Sequence, residues 1–138
     1  MSKTIAIDYT PAYEQGGGIG RLVRDLVSEL PSVDNDEQVY RLFVSGADKS
    51  PSLPHLGDNF SWHTTRVSPR WLARLWYRAR MPIPVETFVG SVDLYHATDF
   101  VLPPTLSRTK TIVTVHDLSF VRVPEAANKR LKEYLGIV

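Results

Sequence analysis

The stretch Lys3-Thr-Ile-Ala-Ile-Asp-Tyr9, followed by Gly16-Gly-Gly-Ile-Gly-Arg21, decides the fold. Its first part is a β-branched run that ends in turn-forming residues, which is typical of a buried strand. After the glycines, apolar residues recur every three or four positions from Ile19 to Leu30, which predicts a helix that ends before Pro31. Val39 to Val44 is then a second strand, so the opening predicts a βαβ unit with parallel strands.

The same alternation of strand and helix patterns continues along the chain. We predict a third strand, a helix of about three turns with Ser68 as N-cap, two more strands and a last helix, over Phe60–Val67, Ser68–Arg80, Val92–Ala97, Thr111–Val115 and from Glu125 onward. Strands that alternate with helices favour a Rossmann-like three-layer αβα fold with a mostly parallel sheet. We expect residues 1–138 to form a single domain of this kind, truncated at its C-terminal end.

Composition narrows the function classes. The 138 residues carry a formal net charge of +1, which gives no overall field for holding nucleic acid or an acidic membrane, so any basic patch must be local. The chain has no cysteine, which excludes a disulfide framework, a thiolate zinc site and a cysteine nucleophile. Such a composition fits a reducing cytoplasm, and we expect the protein to be cytoplasmic.

Polar residues follow three of the predicted strands. Asp8 and Tyr9 close the first strand, His96 and Asp99 leave the fourth, and His116 with Asp117 leaves the fifth. In an open parallel sheet the carboxyl ends of the strands share one edge, and ligands bind outside it. These side chains are therefore expected to face one ligand.

The glycine loop before the first long helix has two interpretations. Gly17, Gly18 and Gly20 let backbone N–H groups approach a phosphate at a helix N-terminus, or they merely turn the chain. The loop departs from the dinucleotide fingerprint because Arg21 occupies the third glycine position, and no Gly-Lys-Ser/Thr occurs. Nicotinamide-binding and NTPase functions are therefore disfavoured.

His116 lies where a buried strand surfaces, a position suited to proton transfer or hydrogen bonding. The competing interpretation is a histidine satisfied by backbone carbonyls. Asp117 either orients His116 or caps the following turn. A metal site built from His96, Asp99 and these two residues is disfavoured, because two His–Asp pairs on loops serve equally well as hydrogen-bonding groups, and we expect no metal.

The predicted helix before Met81 has two different faces. Trp71, Leu72, Leu75 and Trp76 form an apolar face, and arginines recur at Arg66, Arg70, Arg74 and Arg78, with Arg80 beyond. Such a stripe is either a solvated face, the interpretation we favour, or a surface for an acidic acceptor, a membrane or nucleic acid.

Taken together, several motifs resemble the N-terminal half of family 4 (group 1) glycosyltransferases. They are Ile7-Asp-Tyr9, Gly16–Arg21, Val92-Asp-Leu-Tyr-His-Ala-Thr-Asp99, Leu102-Pro-Pro104 and Thr114-Val-His-Asp-Leu-Ser-Phe120 followed by Pro124-Glu125. The resemblance covers nearly the whole chain and is carried by the order and spacing of the motifs.

The resemblance implies a GT-B architecture, in which two Rossmann-like domains face a cleft and a sugar is transferred with retention and without a catalytic metal or cofactor. It implies that Gly17, Gly18 and Gly20, with Arg21 beside them, contact the nucleotide-sugar donor. It implies that His116, with Asp117, lies beside the transferred sugar. Asp8, Tyr9, His96 and Asp99 are then expected on the acceptor side.

The family's donor-binding C-terminal domain is not part of these 138 residues. We therefore expect the chain alone to be inactive. Its expected partners are that domain and a sugar or lipid-linked acceptor, and not nucleic acid. Self-association through the exposed cleft face and a peripheral place at the inner face of a membrane are further expectations. The alternative is a self-contained binding module for a phosphorylated or sugar-like ligand.

Overall fold

The fold is a five-stranded, fully parallel sheet with helices on both faces, as the sequence predicts. The computed structural model describes residues 1–47 and 54–116; the predicted helix from Glu125 and the candidate Asp117 lie outside these ranges. The strands are β1 (Thr4–Asp8), β2 (Val39–Ser45), β3 (Phe60–Thr65), β4 (Leu94–Ala97) and β5 (Lys110–Val113). The helices are α1 (Thr10–Glu14), α2 (Gly18–Asp34), α3 (Pro69–Ala73), the π-helical turn π1 (Arg74–Arg78) and α4 (Glu86–Val89).

The strand order is β3-β2-β1-β4-β5, so the chain builds the sheet outward in one direction and then returns to build the other side. β1 is central and pairs with β2 from Thr4↔Val39 and with β4 from Ile5↔Leu94. The place between β1 and β4 is the topological switch point of the sheet. Loops diverge there at the carboxyl ends of the strands, which opens a crevice for ligands.

Alternation along β1 divides the core into two layers. Ile7 belongs to the cluster that packs α1 and α2 against the sheet, and Ala6 belongs to the cluster beneath α3 and α4. Because side chains of a strand point to alternate faces, Asp8 projects to the α3 face and Tyr9 is packed on the α2 face. On β4, Tyr95 and Ala97 project to the α3 face and His96 to the opposite one.

The predicted order of strand, glycine loop and helix is incomplete, because the one-turn helix α1 lies between β1 and the glycines. Pro11 takes the start of this helix, where its missing N–H costs nothing. The C-terminal carbonyls of Ala12 and Gln15 accept hydrogen bonds from Arg24 Nη1 at 2.8 Å each, which fixes α1 against α2. The glycine loop therefore connects two helices.

The expected end of α2 before Pro31 is also wrong. The helix continues through Pro31 to Asp34, because a proline in the exposed last turn removes one hydrogen bond without entering the core. Asn35 and Asp36 end it, with φ of 52° and 62° in the left-handed region that asparagine and aspartate tolerate.

The predicted long helix from Ser68 to Arg80 changes its geometry partway. Ser68 Oγ accepts a hydrogen bond from Trp71 N at 3.3 Å, which confirms the predicted N-cap. From Arg74 the helix widens to π geometry, and Ala79 N donates to Arg74 O at 2.8 Å. Trp71, expected on the apolar face, is 57% exposed.

The remaining differences concern the ends of strands and one further short helix. β4 begins two residues later than predicted, β5 ends at Val113, and β3 ends at Thr65. α4 was not predicted because a single turn gives no periodicity to detect. No helix within residues 1–47 and 54–116 is long and apolar enough to cross a membrane.

Candidate functional site

A cavity of about 110 Å³ opens at the switch point, between the carboxyl ends of β1 and β4 and the inner face of α3 and π1. Its walls combine carboxylates with aromatic rings. The lining residues used below are Asp8, Glu14, Trp76, Tyr77, Tyr95 and Asp99.

Asp8 is held at the end of β1 by the turn that follows it. Its Oδ1 accepts a hydrogen bond from Thr10 N at 3.0 Å, and Thr10 Oγ1 accepts one from Ser45 N at 3.1 Å. Burial raises the pKa of Asp8 to about 6; its hydrogen bonds with Thr10 oppose the rise, and the nearby Asp99 and Glu14 carboxylates add to it. Asp8 therefore gains and loses a proton close to neutral pH.

Asp99 reaches the cavity from the loop after β4. Val101 N donates to Asp99 O at 2.6 Å across Phe100, whose φ of 59° marks a tight three-residue turn. Phe100 N donates to Thr114 O at 3.1 Å, which ties this turn to the end of β5. Burial raises the pKa of Asp99, and the nearby His116 opposes that rise.

Thr98 connects the carboxyl end of β1, which carries Asp8, with the segment after β5, which carries His116. Its Oγ1 donates to Asp8 O at 2.6 Å, and its carbonyl accepts a hydrogen bond from His116 Nε2 at 2.5 Å. With Nε2 carrying the proton, a neutral His116 ring keeps Nδ1 as an acceptor. The Phe100 ring meets the His116 ring edge-on, with 5.5 Å between centroids, and fixes its plane.

The structure divides the predicted site residues into two sets. Asp8 and Asp99 line the cavity on the α3 face. Burial lowers the pKa of His96, whose Nε2 lies 2.7 Å from Thr114 Oγ1 on the opposite face. Tyr9 is packed in the core, 4.9 Å from Trp62 between ring centroids. All these residues share the carboxyl edge, yet they do not all face one cavity.

The glycines of the loop differ in what surrounds them. A Cβ at Gly17 or Gly18 would meet no atom within 4 Å, so the described chain leaves their surroundings open to a ligand. A Cβ at Gly20 would lie 2.3 Å from Gln15 O, so this glycine serves the packing of α2 on α1. Arg21 is exposed and 3.7 Å from Asp25 between Nε and Oδ2.

Sequence reasoning missed several cavity residues. Glu14 lies on α1, which was not predicted, and burial raises the pKa of its carboxyl. Trp76 and Tyr77 both belong to the π turn and both line the cavity. Tyr95 is buried on β4, and its pKa is raised by burial and by the neighbouring Asp8, Tyr77 and Glu86. Alternation along β4 was the one available signal for Tyr95.

The lining of the cavity indicates what it can bind. Carboxylates accept hydrogen bonds from hydroxyl groups, tyrosine hydroxyls accept and donate them, and the Trp76 ring adds an aromatic group to the lining. The described lining contains three carboxylates and no lysine, arginine or histidine, which disfavours a phosphate in this cavity. In the described ranges, no three His, Cys, Asp or Glu side chains come together as metal ligands would.

No protein-family model, curated protein or solved structure matches the chain.

Proposed function

We propose that this chain is the acceptor-side domain of a retaining glycosyltransferase, which moves a sugar from a nucleotide-sugar donor to an acceptor. The observation that carries the proposal is the cavity at the switch point, lined by Asp8, Asp99 and aromatic rings. Parallel α/β sheets bind their ligands at this place. A hydroxyl-rich acceptor fits the lining chemically, and the motifs that resemble family 4 enzymes agree with it.

In this proposal the carboxylates, the glycines and His116 have different roles. Asp8 and Asp99 accept hydrogen bonds from acceptor hydroxyls and orient the attacking oxygen. Gly17 and Gly18 offer backbone N–H groups to the diphosphate of the donor, which arrives from a second domain. His116 Nδ1 accepts a hydrogen bond from a hydroxyl of the transferred sugar. We place the protein in the cytoplasm, where nucleotide sugars are available as donors.

The first test reads the coding sequence beyond Val138. The proposal predicts a second domain rich in βαβ units, and it predicts that the 138-residue chain alone transfers no sugar. Robust turnover of a nucleotide sugar by the 138-residue chain would overturn the assignment of donor binding to another domain. We also expect the isolated chain to self-associate through its exposed cleft face.

The second test measures acceptor kinetics in the longer protein with a panel of nucleotide-sugar donors. Asp8→Asn and Asp99→Asn should each raise KM for the acceptor about tenfold or more, because each removes a charge-assisted hydrogen bond, and should leave KM for the donor unchanged. Asp58→Asn is the matched control. Asp58 is exposed just before the amino end of β3, whereas the cavity lies at the carboxyl ends of the strands. Equal effects of all three substitutions, or no transfer with any donor, would reject the proposal.

A self-contained binding module for a sugar-like ligand is the second candidate. It is favoured by the lining of the cavity, in which carboxylates and tyrosine hydroxyls can hydrogen-bond the hydroxyl groups of a sugar. Calorimetric titration of the 138-residue chain with sugars and with sugar phosphates shows which of these two classes of ligand it binds. Binding of neutral sugars that Asp8→Asn abolishes, together with a natural stop after Val138, would favour this candidate over the transferase.

A further inference from the structure

The outer side of the helix formed by α3 and π1 exposes arginines and large apolar side chains together. Trp71 is 57% exposed and Met81, just beyond the helix, is 41% exposed. We use the term basic–aromatic surface for these two residues together with the exposed Arg70, Arg74, Arg78 and Arg80.

The segment that carries this surface is positively charged, unlike the rest of the chain. Residues 59–85 contain no Asp or Glu, whereas the whole chain has a formal net charge of only +1, so the rest of the chain is net negative. Within the described ranges, no ion pair joins Arg70, Arg74, Arg78 or Arg80 to a carboxylate. Among the residues that the structure describes, these four guanidinium groups therefore present positive charge that no carboxylate pairs with.

Two local features shape this surface. The Arg74 guanidinium lies 5.1 Å from the centre of the Trp71 ring, which joins a cation and an amphipathic ring in one unit. Arg80 has a φ of 49°, a left-handed conformation at a helix end that glycine adopts far more readily. An arginine at this position places a further charge beside Met81 at the cost of backbone strain.

We infer that the basic–aromatic surface binds an anionic lipid bilayer. Arginines bind lipid phosphates, while tryptophan and methionine side chains enter the boundary between headgroups and acyl chains. Nucleic acid is a poorer fit, because Met81 offers no ring for stacking and Arg74 already covers one face of Trp71. The inference needs neither a donor nor an acceptor and is independent of sugar transfer.

The inner side of the same helix gives this binding a structural consequence. Leu72, Trp76 and Tyr77 line the cavity, while the basic–aromatic surface lies on the outer side. A bilayer on the outer side therefore brings the cavity close to the lipid headgroups.

The test is sedimentation of the full chain with lipid vesicles. We expect binding to phosphatidylcholine vesicles that contain about 30% phosphatidylglycerol, loss of binding at about 1 M salt, and little binding to pure phosphatidylcholine. Arg70→Gln with Arg78→Gln should weaken partitioning about 25-fold, or about fivefold for each arginine removed. Arg108→Gln with Lys110→Gln is the matched control, because it removes two exposed positive charges from β5 and from the turn that precedes this strand.

A second readout keeps the inference testable if a variant folds poorly. With lipids that carry a fluorescence quencher, the tryptophan emission of the unaltered chain should fall on binding to anionic vesicles, and Trp71→Phe should remove most of that change. Equal loss of binding in both double variants, no anionic-vesicle binding, or tighter binding to an oligonucleotide than to vesicles would overturn the inference. None of these outcomes bears on the proposed sugar transfer, since no sugar is present.

Discussion

At the scale of single residues, Asp8 depends most on its surroundings. Its position at the end of β1 follows from the β-branched run before it and could be read from the sequence. Its separation from Tyr9 and His96 also follows from strand alternation, once the faces of β1 and β4 are known. The raised pKa could not be read from the sequence, because it arises from burial under α3 and from Asp99, which lies about 90 residues away along the chain.

The pKa of Asp8 predicts how stability depends on pH. In the folded chain Asp8 keeps its proton up to about pH 6, whereas an unfolded chain loses it near 3.8. The free energy of unfolding should therefore fall as pH rises through this window, by at most about 3 kcal/mol from Asp8. In Asp8→Asn this fall should be smaller, as measured by urea denaturation at pH 4 and pH 7.

The control for this measurement is Asp58→Asn, which should keep the pH dependence of the unaltered chain because Asp58 is exposed. If Asp8→Asn also keeps that dependence, Asp8 does not titrate as its burial predicts.

At the scale of elements, the long α2 and all five strands were predictable because each repeats its pattern over several residues. α1 and α4 were not, because four or five residues do not complete a periodic pattern. The π turn was not predicted, for a different reason. The sequence from Arg74 to Arg78 is compatible with an ordinary helix. The contacts of this turn, such as the hydrogen bond of 2.8 Å that Trp76 Nε1 donates to Ile83 O, are not visible in a periodic pattern.

The contact between α1 and α2 predicts different effects on stability for Gly18 and Gly20. Gly20→Ala should destabilise the chain by about 1–3 kcal/mol, since the new methyl group would overlap Gln15 O and Pro11 O. Gly18→Ala should leave stability unchanged or slightly higher, because it begins the helix in open space. Chemical denaturation measures both.

In the longer protein, at temperatures where both variants are folded, Gly18→Ala should affect catalysis more than Gly20→Ala does. Gly18→Ala should raise KM for the donor if the loop meets its diphosphate. A Gly20→Ala variant as stable as the parent would show that α1 moves away freely.

At the scale of the whole molecule, the parallel α/β architecture was predictable from the order of elements, but the strand order and the cavity were not predicted. It forms where α1, the β4 loop and the π turn converge, and none of these was predicted in detail. The carboxyl edge also keeps apolar groups exposed. Val115, just after β5, is 50% exposed within the described structure.

This exposure predicts concentration-dependent association of the 138-residue chain. Light scattering should show species larger than a monomer at high concentration, and Val115→Lys should reduce them by placing a charge at the edge. Val33→Lys on α2 is the matched control, because Val33 is also exposed but lies at the end of the helix farthest from the cleft. A monomer at every concentration would count against association through this edge.

The central place of β1 in the sheet has a consequence for biosynthesis. A ribosome delivers β1 first, yet Thr4 N bonds to Asp93 Oδ2, a partner 89 positions later in the chain. Until that partner emerges, β1 lacks a neighbour on one side, and the nascent protein has half a sheet and no cleft. Translation that pauses or stops before β4 therefore yields a chain without a binding site, however well its first eighty residues are made.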